Sequence, residues 1–207
     1  MSESMQNSFS FSNYDKDVLA EYTGLCEELF GITPKPTKGG TYLLIRNAYI
    51  KRFLNYCGVK NVLSAGKEIP WVILQSSKEI VREYLKTYFE GEGGITSYPP
   101  HCLECTTASK RMSEQLKVLL LNFGIVARRW MCMRAASNGS RNERRYWKIG
   151  LTNYSIRIVE TEIGFLSERK KLGLSRACET AGSGGGSKID IVPGAERLLR
   201  GLKLGIM

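Results

Sequence analysis

A chain of 207 residues with 43% hydrophobic and 24% charged side chains is long enough to bury a core without disulfide or metal staples, and too apolar to be globally disordered. Its 30 Lys+Arg against 20 Asp+Glu leave a formal net charge of +10, which points to a polyanionic partner. No apolar run reaches the roughly 18 residues of a spanning helix, the first residues lack the basic start and apolar stretch of a secretory signal, and 6 Cys are too sparse for a disulfide scaffold. The expectation is an intracellular protein, cytoplasmic or nucleoid-associated, with free thiols and no membrane partner.

In chain order, a strand begins near Ser8, and apolar residues at helical spacing predict a helix over 19–30. Asn13, Asp15 and Asp17 are its candidate caps and Gly31 its stop. Pro34, Pro36, Gly39 and Gly40 mark a loop, 41–45 reads as a strand, and 47–56 as a short amphipathic helix closed by Gly58. Residues 61–75 form a polar connector in which Pro70 argues against a continuous helix. A strong helix follows over 76–92, with Ser76 or Ser77 as N-cap, Glu79 placed for a capping box, and Gly93-Gly94 at its end. A strand at 102–107, a helix at 110–123 and a stop at Gly124 lead into two strands, 125–134 and 145–152, around an Asn/Gly/Ser turn at 137–140. A helix over 153–162 ends at Gly164; later, a Gly/Ser linker at 181–187 precedes a short tail helix over 196–204.

The series repeats. SNYDKDVLAEYTGLCEELFGI (12–32) aligns with TTASKRMSEQLKVLLLNFGI (106–125), and TYLLIRNAYIKRFLNYCGV (41–59) with WKIGLTNYSIRIVETEIGF (147–165). Both copies run strand, helix, Phe-Gly-Ile, strand, short helix, Gly. The second copy has a leading helix, 76–93, whereas the first begins at its strand, so the first repeat is short of one helix and one strand. The predicted organisation is an incomplete first repeat (1–60), a connector (61–75), a complete second repeat (76–165) and a basic tail (166–207).

The charge is uneven. Residues 1–75 are near neutral at +1, 76–165 carry +5 and 166–207 carry +4. The densest stretch holds Arg128, Arg129, Arg134, Arg141, Arg144, Arg145 and Lys148 against Glu143 alone, with Trp130, Tyr146 and Trp147 interleaved. A solvated charged hairpin would look similar. The local excess of Arg, whose planar fork suits phosphate and guanine edges, favours nucleic-acid contact.

The helix over 76–92 ends in LKTYFEGEG (85–93). Thr87 and Gly91 lie four apart on one face and permit close approach of a second helix; Gly91 costs about 1 kcal/mol relative to Ala, which suggests a packing reason. Glu90 and Glu92, two apart, are separated by about 200° around the helix and cannot both address one ligand. One is expected in solvent, the other at the helix end, where a carboxylate opposes the macrodipole and a cation would relieve it. Taken alone, this helix reads rather as one with an ordinary surface Glu pair before a Gly stop.

LKTYFEGEG resembles the nine-residue LAGLIDADG (dodecapeptide, or DOD-type) motif of homing endonucleases, particularly those carried in inteins. Its approach, IPWVILQSSKEIVREYLKTYFEGEGGITS, is similar to the second motif of two-motif enzymes, and the repeated order to the family's α-β-β-α-β-β-α unit. IDIVPGAERLLRGL (189–202) resembles a segment that follows the endonuclease in some inteins. The resemblance implies an α+β fold of two pseudo-symmetric α-β-β-α-β-β-α repeats, the first incomplete, whose curved antiparallel sheets lie in the major groove of double-stranded DNA. It also implies two motif helices at a pseudo-twofold axis, each giving the acid at its eighth position to divalent cations, normally Mg²⁺, that serve phosphodiester hydrolysis. Glu92 occupies that position, where Asp is commoner, and becomes the catalytic metal ligand. Thr87 and Gly91 become the helix interface, and Arg128, Arg129, Arg134, Arg141, Arg144, Arg145 and Lys148 the DNA contacts. Lys148 is also the candidate basic residue assisting catalysis; Tyr42 stands in its place in the first copy.

With one motif absent, the expectation is a chain that needs an N-terminal partner fragment or homodimer formation through 76–93, or a decayed gene product. The isolated chain should bind DNA and cleave poorly. Two other classes compete: a non-catalytic DNA- or RNA-binding module of the same fold, maturase- or regulator-like, and an unrelated basic adaptor. A zinc reading of His101, Cys102 and Cys105 is disfavoured, because strand residues three apart point to opposite faces. Met1 and Met207 stand where a self-splicing chain would carry Cys or Ser and His-Asn, so splicing by this chain alone is not expected.

Overall fold

The computed structural model describes residues 8–37, 42–97, 101–135, 143–152 and 154–180. Arg141, the turn expected at 137–140, the linker at 181–187 and the tail helix expected over 196–204 lie outside these residues. Strands β1 (Ser8–Ser12), β2 (Lys35–Pro36) and β3 (Tyr42–Arg46) form an antiparallel sheet in the order β1-β3-β2, with α1 (Lys16–Phe30) and α2 (Ala48–Tyr56). A 3₁₀ turn at Ser64–Gly66 and the short α3 (Trp71–Leu74) lead to α4 (Lys78–Glu92). Then come β4 (Gly93–Ile95), β5 (Cys102–Thr107), α5 (Lys110–Leu121), β6 (Arg128–Ala135) and β7 (Glu143–Thr152), giving a second antiparallel sheet ordered β4-β5-β7-β6. The helix α6 (Tyr154–Ile158) loosens into a π turn at Val159–Ile163, and α7 (Glu168–Thr180) follows.

The two sheets share one register. Ser12 pairs with Tyr42 as Thr106 pairs with Lys148, and Lys35 pairs with Leu44 as Arg128 pairs with Gly150. These are the partners that aligning the two copies requires. Alternation then buries equivalent positions: Leu43 and Ile45 in one sheet, Ile149 and Leu151 in the other. Both long helices end at a left-handed glycine, Gly31 (φ 63°) and Gly124 (φ 70°), a conformation that residues with a Cβ adopt only at a cost. Side-chain caps also recur: Asn47 Oδ1 accepts from the Tyr49 and Ile50 amides at 2.9 and 3.1 Å, and Ser109 Oγ accepts from Met112 N at 3.1 Å.

The cores differ in size. Val81, Leu85 and Phe89 recur every four residues along α4 and are at most 1% exposed, joining Leu103, Leu116, Ile149, Ile156 and Leu174 in one large cluster. The first sheet's cluster holds only Cys26, Ile45 and Ile50, with Phe9, Tyr22, Ile32 and Leu54 against it. Among the described residues no counterpart of α4 packs there, and Leu29, Phe53 and Tyr56 stand exposed. The second sheet's core thus has a helix across it that the first sheet's cluster, among the described residues, does not.

Several sequence expectations need correction. The tail includes a helix, α7, whose Leu174, Ala177 and Cys178 are buried; its charge-rich sequence gives only a faint apolar stripe, and tertiary packing holds it. The connector contains α3, which begins directly after Pro70, where a missing N–H costs nothing. Of the two expected candidates Ser77 is the N-cap of α4, and the Ser76 hydroxyl instead donates to Val72 O at 2.7 Å. A hydrogen bond from Ser77 is the largest of the effects that hold the Glu79 carboxyl below the usual carboxylate range. The helix expected over 153–162 divides into α6 and the π turn, and Gly164 N closes that turn on Val159 O at 2.7 Å.

Candidate metal ligand and nucleic-acid interface

The last turn of α4 separates its two acids. Glu90 is 4% exposed; its carboxylate accepts from Leu166 N (2.9 Å), Ser167 N (3.1 Å) and Ser167 Oγ (2.7 Å) at the start of α7. Lys170 lies 4.0 Å from that carboxylate and donates to the carbonyls of Phe89, Glu90 and Gly93. Burial pulls the Lys170 ammonium below its ordinary pKa, while Glu90 pulls it back up. Sequence reasoning missed both roles, because the partners lie more than 70 residues away along the chain. Glu92, by contrast, is exposed. Its charge still reaches inward: burial first, and then Glu92, push the Cys105 thiol up to about 12.

A cavity of about 470 Å³ opens beside the C-terminal half of α4, lined by Thr87, Gly91 and Glu92 together with Lys67, Thr106 and Tyr146. The three motif residues singled out from the sequence thus share one opening. Thr87 is exposed and its hydroxyl donates back to Glu83 O at 2.9 Å, and a Cβ built on Gly91 would meet nothing within 4 Å. A smaller cavity, about 110 Å³, separates the same two residues from Phe11, Tyr22 and Leu25 of the first repeat. Tyr84, half-buried beside the main cavity, has its phenol pushed up to about 12 by burial. Lys67 was not among the residues expected to act, since nothing in its local sequence marks it.

The second sheet divides the basic residues. Cross-strand register sets Arg128, Arg134, Arg144 and Lys148 on one face with Trp130, Tyr146, Glu104 and Thr106. Arg129 and Arg145 fall on the other. Arg129 is held there by Glu114 (3.5 Å), by Ser113 Oγ (3.1 Å) and by the Trp147 ring, 4.3 Å from its guanidinium. Lys148 forms an ion pair with Glu104 and stands 5.6 Å from the centre of the Trp130 ring. The Trp130 indole packs close over Gly150, where a Cβ would come within 2.8 Å of it; glycine leaves the ring that room. Thr106 and Tyr146 belong both to this face and to the cavity that holds Glu92, so acid and basic face meet at one edge. Cys102 and Cys105 lie on opposite faces of β5, and His101 Nδ1 is 2.7 Å from Thr96 O.

Comparison with known proteins bears on this arrangement. A family model described as a LAGLIDADG-like domain matches residues 79–164. The chain is 31% identical over 169 residues to a replication factor C small subunit of Methanocaldococcus jannaschii, covering 79% of this chain and 9% of that protein. It is 26% identical over 147 residues to a DNA gyrase subunit of Mycobacterium gordonae (70% and 24%), and 32% identical over 128 residues to a DNA polymerase of Thermococcus kodakarensis (59% and 7%). The chain therefore spans under a quarter of the length of each of these relatives. No helix of the described residues is long and apolar enough to cross a membrane.

Proposed function

The chain belongs to the LAGLIDADG family, and from that premise we propose that it is a homing-endonuclease-type protein that grips double-stranded DNA and hydrolyses its phosphodiester bonds with a divalent cation. One observation carries the proposal: Glu92 is exposed, makes no hydrogen bond or ion pair among the described residues, and sits where the cavity meets the basic sheet face. Arg128, Arg134, Arg144 and Lys148 hold the phosphate backbone or read base edges in the major groove, with Trp130 and Tyr146 between them. The relatives' differing names support reading the shared segment as an insert of the intein type, carried by unrelated hosts.

Mg²⁺ retains several waters and takes one or two carboxylates plus phosphate oxygens, so Glu92 fits as one contributor to its donor set. The chemistry a cation held there would supply is polarisation of the phosphate and activation of water. Glu92 would hold the cation, the arginines would fix the register of the duplex, and Lys148 would stabilise charge near the cut. Among the described residues no group of three or more His, Cys, Asp or Glu could hold a metal ion. In this reading one chain supplies one acid of a paired site, and self-association or a partner fragment docking on Thr87 and Gly91 supplies the other. The same lone acid favours a second reading, a binding module without cleavage; a Mg²⁺-dependent plasmid-nicking assay separates the two.

Binding should be steeply salt-dependent. Replacing Arg134 and Arg144 together with Ala should lower the slope of log K against log salt by about 2, at about 0.9 for each phosphate no longer neutralised. Titration of a labelled duplex at several salt concentrations reads this directly, and an equal drop for Arg129→Ala would sink the assignment of the binding face. Gly91→Ala should raise the stability of the isolated chain by up to about 1 kcal/mol, because the new methyl meets nothing and helix propensity improves. The same methyl should weaken association through α4, visible by sedimentation as a shift toward monomer. Unchanged association would remove Gly91 from the interface.

A further inference from the structure

The contacts between α4 and α7 are reciprocal. Glu90 places a carboxylate at the N-terminal end of α7, accepting the Leu166 and Ser167 amides, while Lys170 places an ammonium at the C-terminal end of α4, donating to the carbonyls of Phe89, Glu90 and Gly93. Each charge faces the favourable pole of the other helix. These are groups that a helix end leaves without intrahelical partners, and here they fix the turn that carries Glu92. Gly93 N also donates to Phe89 O, and a Cβ at Gly93 would lie 2.7 Å from that oxygen, so the chain leaves α4 along a single tightly defined path into β4. Next to Lys170, Arg169 bonds Asp15, the N-cap of α1, at 3.1 Å. The first turn of α7 thus touches both the motif helix and the incomplete repeat.

We propose that Lys170 and Glu90 are a positioning pair: α7 acts as a latch that sets the last turn of α4 and so aims the Glu92 carboxylate toward the edge of the basic sheet face. This rests on the reading of Glu92 as the metal-binding acid. Neither residue of the pair touches DNA or cation. They work as outer partners that orient a ligand, and loss of such partners commonly costs about 10- to 100-fold in metal affinity.

The test uses the full chain bound to duplex DNA and compares Lys170→Met with Lys170→Arg. Mn²⁺ is titrated while paramagnetic broadening of the Gly91, Gly93 and Gly94 amides is followed, and amide exchange is measured along α4. Lys170→Met should raise the half-saturating Mn²⁺ concentration by about 10-fold, and should accelerate exchange at Glu92, Gly93 and Gly94 while residues 81–86 keep their protection. Lys170→Arg, which keeps the charge and the donors, should stay within about twofold of the parent in both measurements. Duplex affinity should hold throughout. An unchanged exchange rate at 92–94 in Lys170→Met, or a loss in Lys170→Arg as large as in Lys170→Met, overturns the latch. Absence of Mn²⁺ broadening in the parent chain defeats the metal-ligand reading instead, and the exchange rates still decide the latch by themselves.

Discussion

Glu92→Gln is expected to reduce Mg²⁺-dependent cleavage by roughly 1,000-fold, about 4 kcal/mol of transition-state stabilisation, while duplex affinity changes by less than about twofold. Gln keeps the shape and removes the charge that a hard cation requires. Folding should be almost indifferent, since Glu92 is exposed and no ion pair or hydrogen bond holds it among the described residues; surface changes of this kind stay within about 0.5 kcal/mol. The arginine face is untouched, so binding and cleavage should come apart. The measurement is single-turnover cleavage of a duplex substrate at protein concentrations high enough for association, alongside thermal unfolding. Cleavage that persists at the parent rate removes Glu92 from the chemistry. Glu90, two residues earlier, makes this a sharp comparison. It has the same side chain on the same turn, but it is buried and its carboxylate is engaged by three hydrogen bonds from the chain itself.

The largest effect on stability is expected at Phe89. The ring is fully buried in the core that α4 shares with the second sheet, and the residue's carbonyl accepts from both Gly93 N and Lys170 Nζ, the latter at 3.2 Å. Phe89→Ala should cost about 3–5 kcal/mol through reduced burial and the cavity left behind. Set against the 5–15 kcal/mol or so by which domains are usually stable, that is a large fraction. At roughly 2–4 °C per kcal/mol for a chain of this size, the melting temperature should fall by roughly 10 °C. The counterpart is Leu29→Ala on α1, where a side chain 65% exposed should matter by less than about 0.5 kcal/mol. A loss below about 1 kcal/mol at Phe89 would mean that α4 is not seated on the sheet, since fully buried aromatics do not give so small a value.

Much of this molecule is legible without coordinates. The Phe-Gly-Ile stops and the order of the elements follow from lining up the two copies, and the pairing of Ser12 with Tyr42 as of Thr106 with Lys148 agrees with that alignment. Local rules suffice there: glycine where φ is positive, alternation where one face is buried, a four-residue apolar spacing where a helix lies on a sheet. The division of the arginines was within reach too. Arg128 and Arg129 are neighbours on one strand, as are Arg144 and Arg145 on the next, so each pair must split between faces. Only the cross-strand register says which members travel together, and that register sets Arg128, Arg134, Arg144 and Lys148 on one side.

By itself, the sequence determined the α+β class, the repeat, the motif helix and the fact that Glu90 and Glu92 point apart: the elements depend on residues within about two turns or one strand of one another, and the repeat on comparing those local patterns between the two copies. The tertiary structure alone decided which of the two acids is free. A separation of about 200° is symmetric: it tells that one acid is inside and one outside, and the choice falls to whatever packs against the helix. Here that is α7 and the residues leading into it, where Leu166, Ser167 and Lys170 occupy the Glu90 side through hydrogen bonds spanning 76 to 81 residues of chain. Contacts at that range depend on how two elements meet in space, and no local pattern in either segment encodes the meeting.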